Sequence, residues 1–319
     1  MLDNPHSSIS RRDLIKAATA SALAFALPSG LSACRGPRSE ERATTSAPNA
    51  DMARLRDWSG TLKQEGLAAR TLPLGPASTR VGELAIGTPY KAYTLEEYIK
   101  AGGDPTAREP LTLSLTEFDC VSLVEACLGV ARAADNGGRS PSWGEFAAEV
   151  ERVRYRGGRR GNYATRLHYF SEWISDGTTR GLLRNVGEEL GGIQDKRPLR
   201  FMTEHRASYP ALANDNVYRE IGEMERSLDA SPRWMIPTAR IAEVSDRIQT
   251  GDVLAFATSI AGLDVTHSAF AYRDDGGILR VLHAPLSGGV VEISRLLLPD
   301  YVAAIKRSTG ILVARPLRA

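Results

Sequence analysis

The sequence is short of cysteine, of excess charge of one sign and of long apolar runs. Its three cysteines among 319 residues cannot form the disulfide framework of a small secreted domain. Its 40 basic residues nearly balance 38 acidic ones, so no concentrated positive charge is available for nucleic acid. Apolar residues make up 42% of the chain and charged residues 24%, a balance that excludes a disordered protein. These shortages leave a globular protein without a nucleic-acid partner.

The first residues of the chain differ from the rest. Arg11 and Arg12 precede an uncharged run over 17–27, which is too short to cross a bilayer because a spanning helix needs about 20 residues. A basic segment followed by a short apolar one indicates a secretory signal. The arginine pair at this place resembles the twin-arginine export signal.

A cysteine follows the small residues that end this segment. The tetrapeptide Leu31-Ser32-Ala33-Cys34 resembles the bacterial lipobox, in which the cysteine carries diacylglycerol and becomes the mature N-terminus. The alternative is a simple cleavage site with an incidental cysteine. We predict a signal peptide over 1–33, a flexible tether over 34–50 and a folded domain over 51–319. The protein is then exported to the periplasmic side of the cell envelope and anchored to a membrane by lipid.

Hydrophobic periodicity predicts helices in the first half and strands in the last quarter of the chain. Apolar or small residues at helical spacing predict a helix over 120–134, which ends at Asn136-Gly137-Gly138. Similar patterns predict helices over 95–101, 142–153, 163–174 and 296–305, and strands over 253–258, 265–272, 278–284, 290–293 and 311–315. Residues 187–247 are expected to mix short helices with loops that shape a cleft rather than a core. The predicted fold is α+β, with a helical first half packed on a C-terminal antiparallel sheet.

One cysteine lies where a nucleophile is expected. Asp119 is a good N-cap residue, which places Cys120 in the first turn of the predicted helix. The free N–H groups and the helix dipole at that end are expected to lower the pKa of the thiol. The alternative is a buried structural cysteine, which is the interpretation we give to Cys127 in the middle of the same helix.

Two histidines lie in successive predicted strands, and the loop between the strands decides whether they meet. A loop of two or four residues would place His267 and His283 on opposite faces. A three-residue loop over 274–276, with Gly276 in the left-handed conformation, pairs the two histidines directly and places both rings on one face. A lone strand histidine is usually a core residue, but a pair that can meet indicates a site.

Five segments in the same order resemble the NlpC/P60 cysteine peptidases, which have a circularly rearranged papain-like fold and cut peptide and amide bonds in bacterial cell wall. The segments are Gly87-Thr88-Pro89-Tyr90, Phe118-Asp119-Cys120-Val121-Ser122-Leu123-Val124, Gly251-Asp252-Val253-Leu254, Thr266-His267-Ser268-Ala269 and His283-Ala284. More closely, residues 80–317 resemble the DUF1460 group, described as N-acetylmuramoyl-L-alanine amidase-like. Segments 166–169, 262–267 and 310–316 support this closer resemblance.

The resemblance and the residue types together imply a cysteine amidase or peptidase acting on peptidoglycan without a cofactor or metal. Cys120 attacks the amide carbonyl, His267 serves as base and then as acid, and His283 orients His267. Substrate-binding roles are implied for Tyr90, Asp119, Ser122, Arg166 and His168. Two alternatives stay open at this point. The trio Cys120, His267 and His283 suits a zinc site with an open position, and the protein could also be a non-catalytic peptidoglycan-binding lipoprotein.

Overall fold

The computed structural model describes residues 49–231, 233–285 and 289–318. The predicted export residues Arg11 and Arg12, the predicted lipidation site Cys34 and the signal peptide lie outside the described residues. The first helix of the described residues begins at Asn49, inside the segment predicted as a tether. In the described part of the chain, no helix has both the length and the apolar character needed to span a bilayer.

Helices dominate the first half and strands the last quarter of the chain, as predicted. The helices are α1 (Asn49–Gln64), α2 (Leu74–Leu84), α3 (Glu97–Lys100), α4 (Cys120–Ala133), α5 (Trp143–Arg154), α6 (Phe170–Thr179), α7 (Phe201–Glu204), α8 (Asp215–Ser227), α9 (Ile241–Val244) and α10 (Leu298–Ala304). The strands are β1 (Leu183–Asn185), β2 (Ile193–Asp195), β3 (Arg233–Pro237), β4 (Val253–Thr258), β5 (Val265–Arg273), β6 (Leu279–His283), β7 (Glu292–Ile293) and β8 (Ser308–Pro316). Together they form the α+β fold expected from the sequence.

The strands form one antiparallel sheet in the order β2-β3-β8-β4-β5-β6-β7, with β1 also paired to β8. The C-terminal strand β8 lies in the interior of the sheet, between β3 and β4. Apolar side chains cover both faces of the sheet. Leu123 and Cys127 of α4 pack with Val253 and Phe270 on one face, and Phe256 packs with residues of α9 and α10 on the other. Cys127 is therefore a core residue, as predicted.

The insertion over 187–247 is expected to shape a cleft rather than a core, and the structure contradicts the expectation that it forms no core. Its helices bury a third apolar cluster of their own, in which Met202, Val217 and Ile221 pack against Tyr163 and Tyr169. A buried carboxylate supports the cluster, because Glu225 accepts a hydrogen bond of 2.6 Å from the Tyr169 hydroxyl. The insertion forms core as well as surface.

The helix predicted over 163–174 starts later than expected, at Phe170. Residues Tyr163–Thr165 form only a 3-10 turn. The start of α6 is fixed from far along the chain, because the buried carboxylate of Asp264 accepts a hydrogen bond of 2.8 Å from the Ser171 backbone N–H. A cap supplied by a residue 93 positions away is invisible to local sequence patterns.

The β5–β6 hairpin has a different register from the predicted one. Arg273 pairs with Leu279, so the loop covers five residues rather than three, and Gly277, not Gly276, adopts the positive φ. His267 and His283 are thus not directly opposite each other. A slip of two residues leaves every side chain on its original face. Both rings therefore lie on one face of the sheet, as predicted, although the predicted register is wrong.

Helix α1 fastens the segments that lead to α4. The buried Asp51 carboxylate accepts a hydrogen bond of 2.7 Å from the Leu115 backbone N–H. The Arg54 guanidinium donates to the Leu115 carbonyl and to the Thr88 hydroxyl, each at 2.7 Å. These bonds hold the residues just before the α4 start and the loop that carries Tyr90 against one helix.

Candidate functional site

The start of α4 is a capping box. Asp119 Oδ1 accepts a hydrogen bond of 2.7 Å from the Ser122 N–H, and Ser122 Oγ accepts one of 2.9 Å from the Asp119 N–H. The prediction that Asp119 caps the helix and places Cys120 in its first turn is confirmed. Both Asp119 and Ser122 therefore have a defined structural role at this end of the helix.

The surroundings of the Cys120 thiol favour its protonated form, contrary to expectation. Burial raises its pKa to about 12, the negative charge of Asp119 adds to this, and polar groups of Ser268 on β5 only partly offset the shift. The prediction of a lowered pKa is wrong because it counted the helix end alone. Removal of the sulfur from water disfavours the thiolate more strongly than the helix N-terminus favours it.

The two predicted histidines meet. Nε2 of His267 and Nδ1 of His283 are 2.9 Å apart, at hydrogen-bond distance, and both residues are buried. Burial lowers the pKa of His267 to about 3, with a further contribution from His283, and burial lowers the pKa of His283 to about 4. Both rings are neutral at physiological pH, so one of the two nitrogens donates the proton they share and the other accepts it.

Two aromatic side chains hold this pair in place. Phe256 stacks on His267 with ring centroids 5.4 Å apart, and Tyr301 contacts His283 edge-on at 5.2 Å. A bulge between Phe256 and Ala257 in the β4–β5 pairing lies next to His267. Bulges near a site re-aim side chains. The position of the His267 ring therefore depends on an irregularity that pattern analysis does not show.

Cys120 approaches the same strand from the start of α4. Its thiol is influenced by Ser268, the residue after His267. Burial raises the pKa of Tyr301, and Glu292 and the ionised form of Cys120 add to the shift; the Tyr301 hydroxyl lies 3.4 Å from His283 Nδ1. Across the described residues, no hydrogen bond joins the sulfur to either ring, and Nδ1 of His267 is buried without a partner. The structure gathers the trio around β5 but leaves this nitrogen unused.

Tyr90 joins this group. Its N–H donates to the Gly289 carbonyl at 3.0 Å, and Tyr90 also forms a parallel bridge with Phe118, just before the cap of α4. Burial raises the pKa of the Tyr90 hydroxyl, and the charges of Cys120 and Asp119 add to the shift. Tyr90, Asp119 and Cys120 are therefore neighbours, and the substrate-binding roles of Tyr90 and Asp119 stay predictions.

Arg166 and His168 lie in a different environment. The Arg166 guanidinium forms ion pairs with Glu109 at 3.0 Å and with Glu96, and it lies over the Tyr163 ring. His168 Nε2 lies 2.9 Å from the Tyr163 carbonyl oxygen. These side chains already have partners within the protein, and no described hydrogen bond links them to Cys120 or to the histidine pair. Their substrate-binding roles stay predictions.

Sequence reasoning missed Phe256, Tyr301 and Glu292. Glu292 lies directly opposite His283 on the neighbouring strand, with Oε1 3.7 Å from His283 Nε2. No local motif marks these residues. The one available signal was the predicted strand over 290–293, whose pairing with the His283 strand brings Glu292 to the site.

The zinc alternative finds no support in the geometry. Within residues 49–231, 233–285 and 289–318, no three His, Cys, Asp or Glu side chains are arranged to hold a metal ion. The pairing of His267 with His283 instead uses a nitrogen from each ring for a mutual hydrogen bond.

The sequence over residues 80–311 matches the family model AmiA-like, described as N-acetylmuramoyl-L-alanine amidase-like. The chain belongs to this AmiA-like family. Among the curated proteins, none matches the chain.

Solved structures related to this AmiA-like chain share its architecture. An N-acetylmuramoyl-L-alanine amidase from Bacteroides uniformis is 29% identical with a TM-score of 0.67, and the match covers 76% of this chain and 98% of that one. A Bacteroides fragilis protein provisionally named a xylanase is 31% identical with a TM-score of 0.65, over 74% and 98% of the two chains. A Legionella pneumophila protein of the DUF1460 family is 20% identical with a TM-score of 0.59, over 84% and 94%, and shows the shared fold.

Proposed function

We propose that the protein is a cysteine amidase that cleaves an amide bond in peptidoglycan. Cys120 is the nucleophile, His267 the general base and His283 the residue that orients His267. The observation that carries this proposal is the 2.9 Å hydrogen bond between the two rings on strands beside Cys120. Membership of the AmiA-like family and likeness to the Bacteroides uniformis amidase support the substrate class.

Catalysis starts from a neutral thiol and a neutral imidazole. The free Nδ1 of His267 takes the proton from Cys120, and the sulfur attacks the carbonyl carbon of the amide. Backbone N–H groups at the start of α4, that of Cys120 among them, stabilise the oxyanion. The C–N bond breaks as His267 returns the proton to the leaving amine, and water hydrolyses the thioester. The bond is the muramoyl–L-alanine amide or an amide within the stem peptide.

Substrate binding is proposed for the residues around the helix start. Tyr90 and Asp119 are the strongest candidates, because both lie next to the reactive sulfur. A small cleft is lined by Ser122, two residues along α4 from Cys120, together with Thr94, Ser114 and Glu117. The arrangement of a cysteine at a helix start beside a strand histidine agrees with an NlpC/P60, papain-like fold, which we propose as the wider relationship.

The cellular location is also a proposal. The twin-arginine pattern at Arg11 and Arg12 and the lipobox-like Cys34 favour export followed by lipid anchoring on the periplasmic side of the envelope. A tethered enzyme there would meet peptidoglycan within reach of a flexible linker. Peptidoglycan and the membrane are thus the proposed partners.

The test is mass spectrometry of muropeptides after incubation with the full chain. We expect a new cleavage product with the wild type and none with Cys120→Ala, and a loss of at least 100-fold in rate with His267→Gln, since a general base contributes about 10²–10⁴-fold. Cys127→Ala serves as the matched control, because it removes the other described thiol from the core and should leave the product unchanged.

The outcomes separate the rival interpretations. A binding lipoprotein without activity would retain muropeptides but yield no product with any variant. A metal enzyme would contain stoichiometric zinc by elemental analysis and lose activity with a chelator. Cleavage that persists in Cys120→Ala would contradict the proposal.

A further inference from the structure

His283 has a group at each ring nitrogen. Nδ1 faces His267 at 2.9 Å, and Nε2 faces the Glu292 carboxylate at 3.7 Å. Nε2 is buried and has no hydrogen-bond partner. In the described part of the chain, Glu292 is the one carboxylate within 4.0 Å of either ring. The one negatively charged group beside the histidine pair is therefore Glu292, and it faces the His283 nitrogen that points away from His267.

Two neutral proton arrangements satisfy the hydrogen bond between the rings. In the first, His267 Nε2 donates to His283 Nδ1, which leaves Nδ1 of His267 bare and puts the proton of His283 on Nε2. In the second, His283 Nδ1 donates to His267 Nε2, so Nδ1 of His267 carries a proton. Only the first arrangement leaves His267 able to accept a proton from a thiol.

We propose that Glu292 is a positioning residue that selects the first arrangement by attracting the Nε2 proton of His283. This inference rests on the proposed function above, since it concerns the base of that reaction. In the second arrangement the lone pair of His283 Nε2 would face the carboxylate, which is electrostatically unfavourable. The charge of Glu292 thus holds the proton of His283 on Nε2. Because His283 Nδ1 must then accept, the proton of His267 is held on its Nε2.

The placement of Glu292 suits this role. It lies opposite His283 in the β6–β7 pairing, so the backbone ladder holds the two residues together. Its side chain is 52% exposed, so solvent weakens its effect. The Tyr301 hydroxyl, 3.4 Å from His283 Nδ1, does not discriminate, because a hydroxyl donates or accepts equally well. Tyr301 instead holds the His283 ring by its edge contact.

The informative variant is Glu292→Gln. An amide can donate a hydrogen bond to a bare Nε2 as well as accept one from a protonated Nε2, so it removes the bias towards the productive arrangement and lets the unproductive one form. We expect kcat for muropeptide cleavage to fall about tenfold with KM unchanged, a smaller loss than for a buried triad carboxylate. Glu188→Gln, which neutralises an exposed acidic residue on the β1–β2 connection, is the matched control and should match the wild type.

A second readout needs no activity. Nitrogen-15 NMR of the full chain labelled in histidine distinguishes protonated from bare ring nitrogens, and spectra of His267→Gln and His283→Gln assign the signals. We expect both rings of the wild type to be protonated at Nε2. Glu292→Gln should shift a measurable fraction of His283 to the Nδ1-protonated form.

The outcomes are distinguishable from those of the proposed function. An unchanged tautomer in Glu292→Gln overturns the role of Glu292, whatever happens to kcat, and so does an altered tautomer with unchanged kcat. If the wild type cleaves no muropeptide but Glu292→Gln shifts the tautomer, the proposed function fails while the assignment of Glu292 to the histidine pair stands.

Discussion

Cys120 and His267 are both uncharged at rest, for the same physical reason. Burial raises the pKa of the thiol to about 12 and lowers that of the imidazole to about 3. Each shift favours the neutral form because the site is removed from water. In the proposed reaction, the thiolate therefore forms only when a proton passes from Cys120 to His267 in the presence of substrate.

Alkylation of Cys120 tests this state directly. We expect iodoacetamide to modify Cys120 at pH 7 at least tenfold more slowly than it modifies a free cysteine, whose pKa is about 8.5, and the rate to climb steadily above pH 9. Peptide mapping by mass spectrometry follows the reaction. Cys127 is the internal reference, since it is 1% exposed and should stay unmodified. A fast reaction with a plateau below pH 7 would indicate a preformed thiolate.

At the scale of single residues, the sequence predicted where residues lie more accurately than it predicted their pKa values and contacts. The cap at Asp119 and the place of Cys120 follow from adjacent residues, and both were correct. The pKa of the thiol depends mainly on burial by distant elements and less on Ser268, and adjacent residues reveal neither. The same limit applies to Glu292, whose contact with His283 exists only through strand pairing.

At the scale of elements, the periodic spacing of side chains in helices and strands determined which features could be predicted from the sequence. The helix expected over 120–134 is present and ends at Ala133, one residue earlier than expected. It was predictable because the spacing of its apolar residues is a local feature of the sequence. The hairpin loop was misjudged by two residues because the carboxylate of Asp274 organises a longer turn, accepting hydrogen bonds from the Gly276 and Ile278 N–H groups. Strand alternation has a period of two, so the shared face of the histidines did not depend on that detail.

The contact between α2 and the start of β4 is a site of predicted sensitivity. Gly251 has a φ of +86°, and a Cβ added there would lie 2.2 Å from the carbonyl carbon of Gly75. We expect Gly251→Ala to lower the free energy of unfolding by at least about 2 kcal/mol, from backbone strain and a steric clash together. Urea unfolding followed by circular dichroism measures the loss.

Gly66→Ala is the control for that substitution. Gly66 also has a positive φ, +73°, but a Cβ there meets nothing within 4 Å. It should cost about 1 kcal/mol from strain alone. Equal losses in the two variants would show that the close approach of α2 and β4 contributes nothing.

At the scale of the whole molecule, the order of the sheet was beyond sequence analysis. The last strand, β8, lies between β3 and β4, and β3 comes from the insertion that was expected to form only loops and short helices. Such pairings depend on contacts between residues distant in sequence, which periodicity does not encode. The general α+β arrangement was predictable because helices and strands segregate along the chain.

The buried histidines also influence stability as pH falls. The pKa of His283 is about 4 in the folded protein and about 6.5 when unfolded, so below pH 6.5 the unfolded chain binds more protons. Stability from this residue is complete above pH 6.5 and declines towards pH 4. Between pH 7 and pH 5, we expect the wild type to lose about 2 kcal/mol more unfolding free energy than His283→Gln. If urea unfolding gave the same loss of unfolding free energy between pH 7 and pH 5 for both proteins, the lowered pKa of His283 would be contradicted.

The protonated sulfur of Cys120 has a consequence for durability. Peroxide attacks thiolates far faster than thiols, and the first product, a sulfenic acid, leads on to forms that cannot be reversed. A nucleophile that stays protonated until an amide arrives spends little time in the vulnerable form. In the exported enzyme proposed above, an idle molecule facing oxidants outside the reducing cytosol would therefore keep its capacity to react.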